Sequence, residues 1–133
     1  MKHLREKLWC KLAAFFLAML TLLLTVASAF AVGVLVNGGI TLDDQAKSVT
    51  VDGEEVSLTP KEYDILRFLM QNAGTVYSPK EIYRRVWDDA PLNADSVLAV
   101  HIRHIREKIE IDPAEPRYLK VVWGKGYKME VKR

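Results

Sequence analysis

The stretch that most constrains the fold of this chain is residues 93–110, NADSVLAVHIRHIREKIE. At 3.6 residues per turn, four large apolar residues align on one side: Leu98, Ile102, Ile105 and Ile109. This spacing predicts a helix that buries one side in a core. The rest of its surface carries mainly basic groups and two valines: Val97, Val100, His101, Arg103, His104, Arg106 and Lys108. Hydrogen-bond donors beside methyl groups suit a helix that reads a DNA major groove, and an ordinary solvated surface helix is the alternative.

The distribution of charge favours a polyanionic partner more than the net charge of +2 does. Residues 40–100 hold six Lys and Arg against eleven Asp and Glu, whereas residues 101–133 hold nine against five. The basic excess therefore lies in the last third of the chain and starts within the predicted helix. The single cysteine, Cys10, permits neither an intrachain disulfide nor a cysteine-rich metal site in this sequence.

The N-terminal segment has the composition of a membrane span. Residues 1–11 form a basic flank with four Lys and Arg, and residues 12–36 follow without a charged side chain. As a helix, residues 12–36 would be about 37 Å long, enough to cross a hydrocarbon core of about 30 Å. We expect one uncleaved transmembrane helix, and a signal peptide cleaved near Ala27 or Ala29 is the alternative. The basic flank predicts an inside N-terminus, which would place residues 37–133 outside, away from DNA.

Residues 40–58 alternate between apolar and polar side chains and contain turn-forming pairs such as Asp52-Gly53. This pattern predicts three short antiparallel strands. Two helix starts follow, TPKE at 59–62 and SPKE at 78–81. Each offers a hydroxyl N-cap, a proline in the first turn and a glutamate placed for a capping box.

The second helix is expected to break at the loop of residues 88–92, and Asn93 or Asp95 can cap the basic-faced helix. Residues 118–131 read YLKVVWGKGYKMEV, which predicts a hairpin turning at the Gly-Lys-Gly of 124–126. Antiparallel strands, three helices and a C-terminal hairpin make an α+β winged helix-turn-helix domain over residues 37–133. The basic-faced helix is then the recognition helix, and the hairpin is the wing.

Residues 37–133 resemble the winged-helix effector domain of OmpR/PhoB-type response regulators, and most closely its VanR-like members. Four stretches carry the resemblance: LTPKEYDILRFLM (58–70), SPKEIYRRVW (78–87), LAVHIRHIREKIE (98–110) and YLKVVWGKGYK (118–128). The resemblance implies a sequence-specific DNA-binding transcription regulator of the two-component, phosphorelay type, not an enzyme, and without a cofactor or metal. It implies double-stranded promoter DNA as a partner and a head-to-tail dimer on that DNA. RNA polymerase would be contacted by the loop acids Asp88 and Asp89.

The resemblance also implies roles for individual side chains. Base contacts fall on Val97, Val100, His101 and His104. DNA backbone contacts fall on Arg103, Arg106, Lys108, Lys125 and Lys128, and the wing presents Trp123 and Lys125. Three positions that often hold arginine in the family hold Ser96, His104 and Trp123 here. A site that depends less on guanine is therefore implied, with the valines meeting thymine methyl groups.

The region before the domain departs from the family and leaves two hypotheses for the whole chain. Response regulators carry a phosphorylatable receiver domain there, and residues 1–36 are too few to hold one. Their composition weakly resembles the start of a sensor histidine kinase. The first hypothesis is a regulator without a receiver, tethered in the cell membrane by residues 12–36 with its DNA-binding domain cytoplasmic. The second is a hybrid or decayed gene product, a single-pass membrane protein whose winged-helix domain does not reach DNA.

Two further points stay open at the level of the sequence. The family's sheet usually has four strands, so a fourth lies near residues 36–40 or the sheet is shortened. His101, His104 and Glu107 stand at i, i+3 and i+6, a spacing that would suggest a metal site. That spacing turns Glu107 by about 120° from His101 around the helix, which disfavours shared coordination.

Overall fold

The computed structural model describes residues 33–133. These include all of Leu35–Arg133, the larger of the two units into which the chain divides. The predicted flank at 1–11 and residues 12–32 of the predicted membrane span lie outside the described residues. Within residues 33–133, no helix has the length and hydropathy that crossing a membrane requires.

Four short strands open this part of the chain: β1 (Val34–Asn37), β2 (Ile40–Asp43), β3 (Ser48–Val51) and β4 (Glu54–Val56). They form one sheet in the order β1-β2-β3-β4, in which the β2–β3 and β3–β4 pairs are antiparallel. The three predicted strands are confirmed. Strand β1 is the fourth strand that the family pattern requires.

Strand β1 also corrects the predicted C-terminal end of the membrane span. The prediction of a helix through residue 36 is wrong for residues 33–36, because Gly33 lies in a turn and residues 34–36 lie in the strand. Leu35 packs against the core while Val36 is exposed, the alternation expected of a strand. The uncharged run continues into this strand without a break, so composition alone does not mark where the domain begins.

Three helices follow: α1 (Pro60–Gln71), α2 (Pro79–Trp87) and α3 (Ala94–Ile109). The hydroxyl oxygens of Thr59 and Ser78 accept the N–H groups three residues ahead, which confirms both predicted N-caps. At Ser78 the carboxylate of Glu81 also accepts the cap N–H and completes the capping box. Asn93 takes the predicted cap position of α3 in a left-handed conformation, but its side chain makes no capping hydrogen bond.

The C-terminal hairpin consists of β5 (Leu119–Val122) and β6 (Gly126–Met129), whose antiparallel register pairs Val121 with Tyr127. Two backbone hydrogen bonds of 2.9 Å join Tyr77 and Tyr127, and they attach the hairpin to the segment that precedes α2. The described residues therefore form the predicted α+β winged helix-turn-helix.

One core holds these elements together, and β2, β3, the three helices and the hairpin contribute buried side chains to it. They include Ile40 and Leu42 of the sheet, Ile65, Leu66 and Leu69 of α1, Leu98, Ile102 and Ile105 of α3, and Leu119 and Met129 of the hairpin. Burying one such side chain stabilises the fold by roughly 1.5–3 kcal/mol. Helix α3 is thus held by one side along its whole length, and its opposite side faces solvent.

Candidate nucleic-acid interface

The exposed side of α3 presents side chains at helical spacing. Val100 is 52% exposed, the Arg103 side chain is 79% exposed, and His104 is exposed. Glu107 lies one turn beyond Arg103, and its Oε1 is 3.2 Å from Nε of Arg103. These four residues stand at i, i+3, i+4 and i+7, so they share one side of the helix, opposite the core. We call this set of four residues the reading face.

Two predicted base contacts, Val97 and His101, lie at the margin of this face and are half-buried. Nδ1 of His101 is 2.8 Å from the carbonyl oxygen of Val97. The imidazole ring also packs in a T-shaped arrangement with Trp87 of α2, with 5.3 Å between the ring centroids. A carbonyl oxygen only accepts, so Nδ1 carries the hydrogen and Nε2 is left for an outside partner. His101 and Glu107 already have separate partners, and the histidine–glutamate set does not converge as metal ligands would.

The charged groups of Arg106 and Lys108 are engaged in contacts within the domain, which argues against their predicted role at the DNA backbone, although Lys108 itself is exposed. Nε of Arg106 donates to the carbonyl oxygen of Leu119 at 2.9 Å, and its Nη2 is buried. Burial lowers the pKa of Arg106, while Tyr127 and Glu110 act in the opposite direction. Nζ of Lys108 donates to both carboxylate oxygens of Glu62 at 3.0 and 2.7 Å. The Arg106 contact joins α3 to the hairpin, and the Lys108 contact joins α3 to α1.

The hairpin separates its own predicted contacts onto different surfaces. Lys125 is exposed at the turn, and Trp123 beside it is 90% exposed. Lys128 pairs across the hairpin with Lys120, on the face opposite the buried Leu119 and Met129. Its Nζ lies 3.0 Å from a carboxylate oxygen of Glu130. The tip of the hairpin is therefore available to a partner of α3, whereas Lys128 lies on the hairpin's outer face.

A groove of about 310 Å³ lies between the hairpin and the first turns of α2 and α3. Its lining includes Pro79, Asp95, Val121 and Trp123. This groove places the hairpin tip beside the N-terminal end of α3. In DNA-binding helix-turn-helix domains, that end of the recognition helix meets the base edges.

The loop between α2 and α3 is exposed and carries the two predicted polymerase-contact acids. Asp88 ends α2 in a left-handed conformation with a φ of 52°, and Asp89 accepts the N–H of Ala90 at 2.7 Å. Together with Arg84 and Pro91, these acids line an open groove of about 530 Å³. The acids therefore stand in one exposed concavity.

Two cations that the sequence analysis did not assign, Arg84 and Arg85, are exposed on α2. The signal for them was present, because the first helix of a helix-turn-helix crosses the DNA backbone. They add positive charge beside α3, whose own Arg106 and Lys108 are engaged in hydrogen bonds within the domain.

Comparisons with known proteins agree with this architecture. A family model described as "Transcriptional regulatory protein, C terminal" matches residues 53–129. The regulatory protein VanR of Enterococcus faecium is 37% identical over 98 residues, which cover 73% of this chain and 42% of VanR. The chain spans less than half the length of the curated relatives it matches first.

Two solved structures share the fold. The response regulator DrrB of Thermotoga maritima, an OmpR/PhoB homologue, matches with a TM-score of 0.68 and 36% identity over 74% of this chain and 44% of DrrB. The DNA-binding domain of RstA from Klebsiella pneumoniae, in complex with the RstA box, matches with a TM-score of 0.68 and 26% identity. That match covers 73% of this chain and 96% of the RstA domain. This chain therefore belongs to the family of transcriptional regulatory proteins that share the OmpR/PhoB-type C-terminal winged-helix domain.

Proposed function

We propose that this protein is a sequence-specific DNA-binding transcription regulator of the two-component type. In this proposal α3 lies in a major groove, and the hairpin tip meets the adjacent backbone or minor groove. The observation that carries it is the reading face, which is exposed along a helix whose other side is fixed in the core. The RstA domain, which has the same fold, forms a complex with its DNA box and supports the docking.

The chemistry of the interface divides into base readout and backbone binding. The methyl groups of Val100 suit a thymine methyl, and the imidazole of His104 offers a hydrogen bond to a base edge. Lys125 at the hairpin tip, with Arg84 and Arg85 on α2, supplies charge for phosphates. Val97 and Nε2 of His101 contact the margin of the same groove.

The experiment is selection of a binding site from randomised duplexes by the purified full chain, followed by fluorescence anisotropy on that site. We expect one defined site, bound at least about a hundredfold more tightly than random duplex at the same salt. Val100→Ala and His104→Ala should each weaken binding to the selected site by about tenfold and leave random duplex nearly unaffected. Absence of any preferred duplex would contradict the proposal.

We propose RNA polymerase as a second partner, through the loop acids Asp88 and Asp89. Their exposure in one groove beside Arg84 supports this role. The double variant Asp88→Asn/Asp89→Asn should keep DNA affinity and lose polymerase recruitment in a gel shift with holoenzyme. Equal recruitment by the wild type and this variant would show that the loop acids do not contact polymerase.

We also propose head-to-tail dimers on direct repeats. One winged-helix domain binds its half-site in a single direction, so two domains in the same orientation require two half-sites in the same orientation. Binding of the full chain to two tandem half-sites should then be cooperative, and inverting one half-site should abolish the cooperativity. Independent filling of tandem half-sites would contradict this arrangement.

Membrane tethering remains a proposal from composition alone. With Gly33 in a turn and β1 starting at Val34, residues 12–32 would form a helix of about 32 Å, enough for a span. A fusion of an enzyme active only outside the cell, placed after Arg133, distinguishes the two hypotheses for the whole chain. The fused enzyme should be inactive if the protein is a tethered regulator with its DNA-binding domain in the cytoplasm. Activity of the fused enzyme would support the hybrid gene product whose domain does not reach DNA.

A further inference from the structure

The reading face contains one acid, Glu107, in a surface that has to approach a polyanion. Its carboxylate is about half exposed and is held against Arg103 by the contact of 3.2 Å between Oε1 and Nε. As a stabilising pair on an exposed helix surface, this contact adds little to the free energy of folding. A carboxylate in this position costs DNA affinity through its repulsion of phosphates, so stability gives little reason for its presence.

The atoms in contact suggest a different role. Glu107 engages Nε of Arg103, on the inner edge of the guanidinium. The two terminal nitrogens, Nη1 and Nη2, make no hydrogen bond to any other described residue. They form a planar pair of donors, and a planar fork of this kind matches O6 and N7 of guanine in the major groove.

Position on the helix supports base contact by the same side chain. Arg103 lies between Val100 and His104 on the side of α3 that is opposite the buried Ile102 and Ile105. An arginine that binds a phosphate can pair with any of several equivalent oxygens, so it depends less on one fixed orientation than an arginine that meets a single acceptor pair on a base edge. A base-reading arginine gains specificity from a fixed fork, since its ordering entropy is partly lost before binding.

We infer that Arg103 reads one guanine in the DNA site and that Glu107 is its positioning residue. Glu107 holds the guanidinium with its fork outward and at the same time lowers the affinity for non-specific DNA by repelling phosphates. This inference rests on the proposed function, and it replaces the backbone contact that the sequence predicted for Arg103.

The test uses the full chain and its selected duplex, with each guanine replaced in turn by 7-deazaguanine, which lacks the N7 acceptor. For the wild type we expect one position at which this replacement weakens binding by about tenfold. Inosine at the same position keeps O6 and N7 and should change binding by less than about twofold. Arg103→Lys keeps the charge and loses the fork, so the 7-deazaguanine effect should fall to less than about threefold.

The Glu107 variants separate orientation from charge. Glu107→Ala should reduce the 7-deazaguanine effect to less than about threefold and tighten binding to random duplex by about threefold. Glu107→Gln keeps an oxygen that accepts from Nε, so it should retain most of the effect while tightening random binding equally. Glu115→Ala removes the same charge from an exposed loop outside α3 and is the matched control, with the 7-deazaguanine effect unchanged.

Two results would overturn the inference: no guanine sensitive to 7-deazaguanine in the wild type, or an undiminished effect in Glu107→Ala. A uniform loss on all duplexes with Arg103→Ala, together with a salt slope smaller by about one, would return Arg103 to phosphate contact. None of these three outcomes contradicts the proposed function as long as the wild type prefers its selected site. Loss of that preference in the wild type would instead contradict the proposed function itself.

Discussion

At the scale of single residues, Lys108 stabilises the fold by pairing with Glu62, although the sequence predicted a contact with the DNA backbone. Its partner Glu62 on α1 is only 3% exposed, while the Lys108 side chain is 34% exposed. Burial raises the pKa of Glu62, but the hydrogen bonds and charge of Lys108 outweigh burial and leave that pKa below 4.5. The carboxylate is therefore charged in the folded state; Lys108 is its main partner, and hydrogen bonds from Thr59 lower its pKa further.

Replacing Lys108 by methionine should destabilise the domain, since it keeps the aliphatic stem and leaves a buried carboxylate without its counterion. We expect the free energy of unfolding to fall by about 2 kcal/mol, less than for a fully buried pair because Lys108 is partly solvated. Urea denaturation measures it, and Lys80→Met on the exposed surface of α2 is the control, with a change within about 0.5 kcal/mol. Equal stabilities of these two variants would show that the pair contributes nothing.

The same pair predicts a dependence of stability on pH. A carboxyl whose pKa is lowered by folding stabilises the folded state above its unfolded pKa and loses that contribution as the pH falls through its folded pKa. The difference in unfolding free energy between the wild type and Glu62→Gln should therefore be largest near neutral pH and shrink below about pH 4.5. Urea denaturation at a series of pH values tests this, and a constant difference down to acid unfolding would contradict it.

At the scale of secondary-structure elements, the position of the hairpin depends on its close approach to the segment before α2. Gly126 has a φ of 148°, and a Cβ there would collide with the carbonyl oxygen of Tyr77 and lie 2.7 Å from its carbonyl carbon. The backbone pairing of Tyr77 with Tyr127 thus requires a glycine next to it. Gly124 in the same turn also has a positive φ, of 75°, but has open space around it.

These two glycines give a matched pair of variants. Gly126→Ala should destabilise the domain by about 2–4 kcal/mol, because it adds a clash to backbone strain. Gly124→Ala should cost about 1 kcal/mol, from strain alone. Hydrogen exchange should show faster exchange at Tyr77 and Tyr127 in the first variant only. Similar exchange at these two amides in both variants would mean that the close approach does not hold the hairpin.

How much of this architecture could be predicted depends on whether its cause is local in the sequence. The capped starts of α1 and α2 and the hairpin turn are set by neighbouring residues, and all three were predicted. The contacts of Arg106 and Lys108 reach across 13 and 46 residues, and helical periodicity does not report such partners. The sequence left a fourth strand open near residues 36–40 but did not place it at 34–37, because its apolar residues continue an uncharged run.

At the scale of the whole molecule, the affinity for DNA should depend moderately on the salt concentration. With Arg106, Lys108 and Lys128 engaged internally, Lys125, Arg84 and Arg85 remain as the main phosphate contacts. Neutralising about three to five phosphates gives a log–log slope of affinity against salt between about −3 and −4.5. Anisotropy titrations at several salt concentrations measure the slope. A slope near zero would rule out docking on the DNA backbone, and one near −8 would mean that internally paired cations also bind phosphates.

The most direct test of the DNA-binding surface is to map it by NMR, titrating the isotope-labelled full chain with its selected duplex. We expect the largest amide shift changes in α3 around Val100 and His104 and at the hairpin tip around Lys125. The amide shifts of strands β2 to β4 should change little, since these strands belong neither to α3 nor to the hairpin. Changes centred on those strands, with α3 and the hairpin tip unaffected, would contradict the claim that the exposed side of α3 reads DNA.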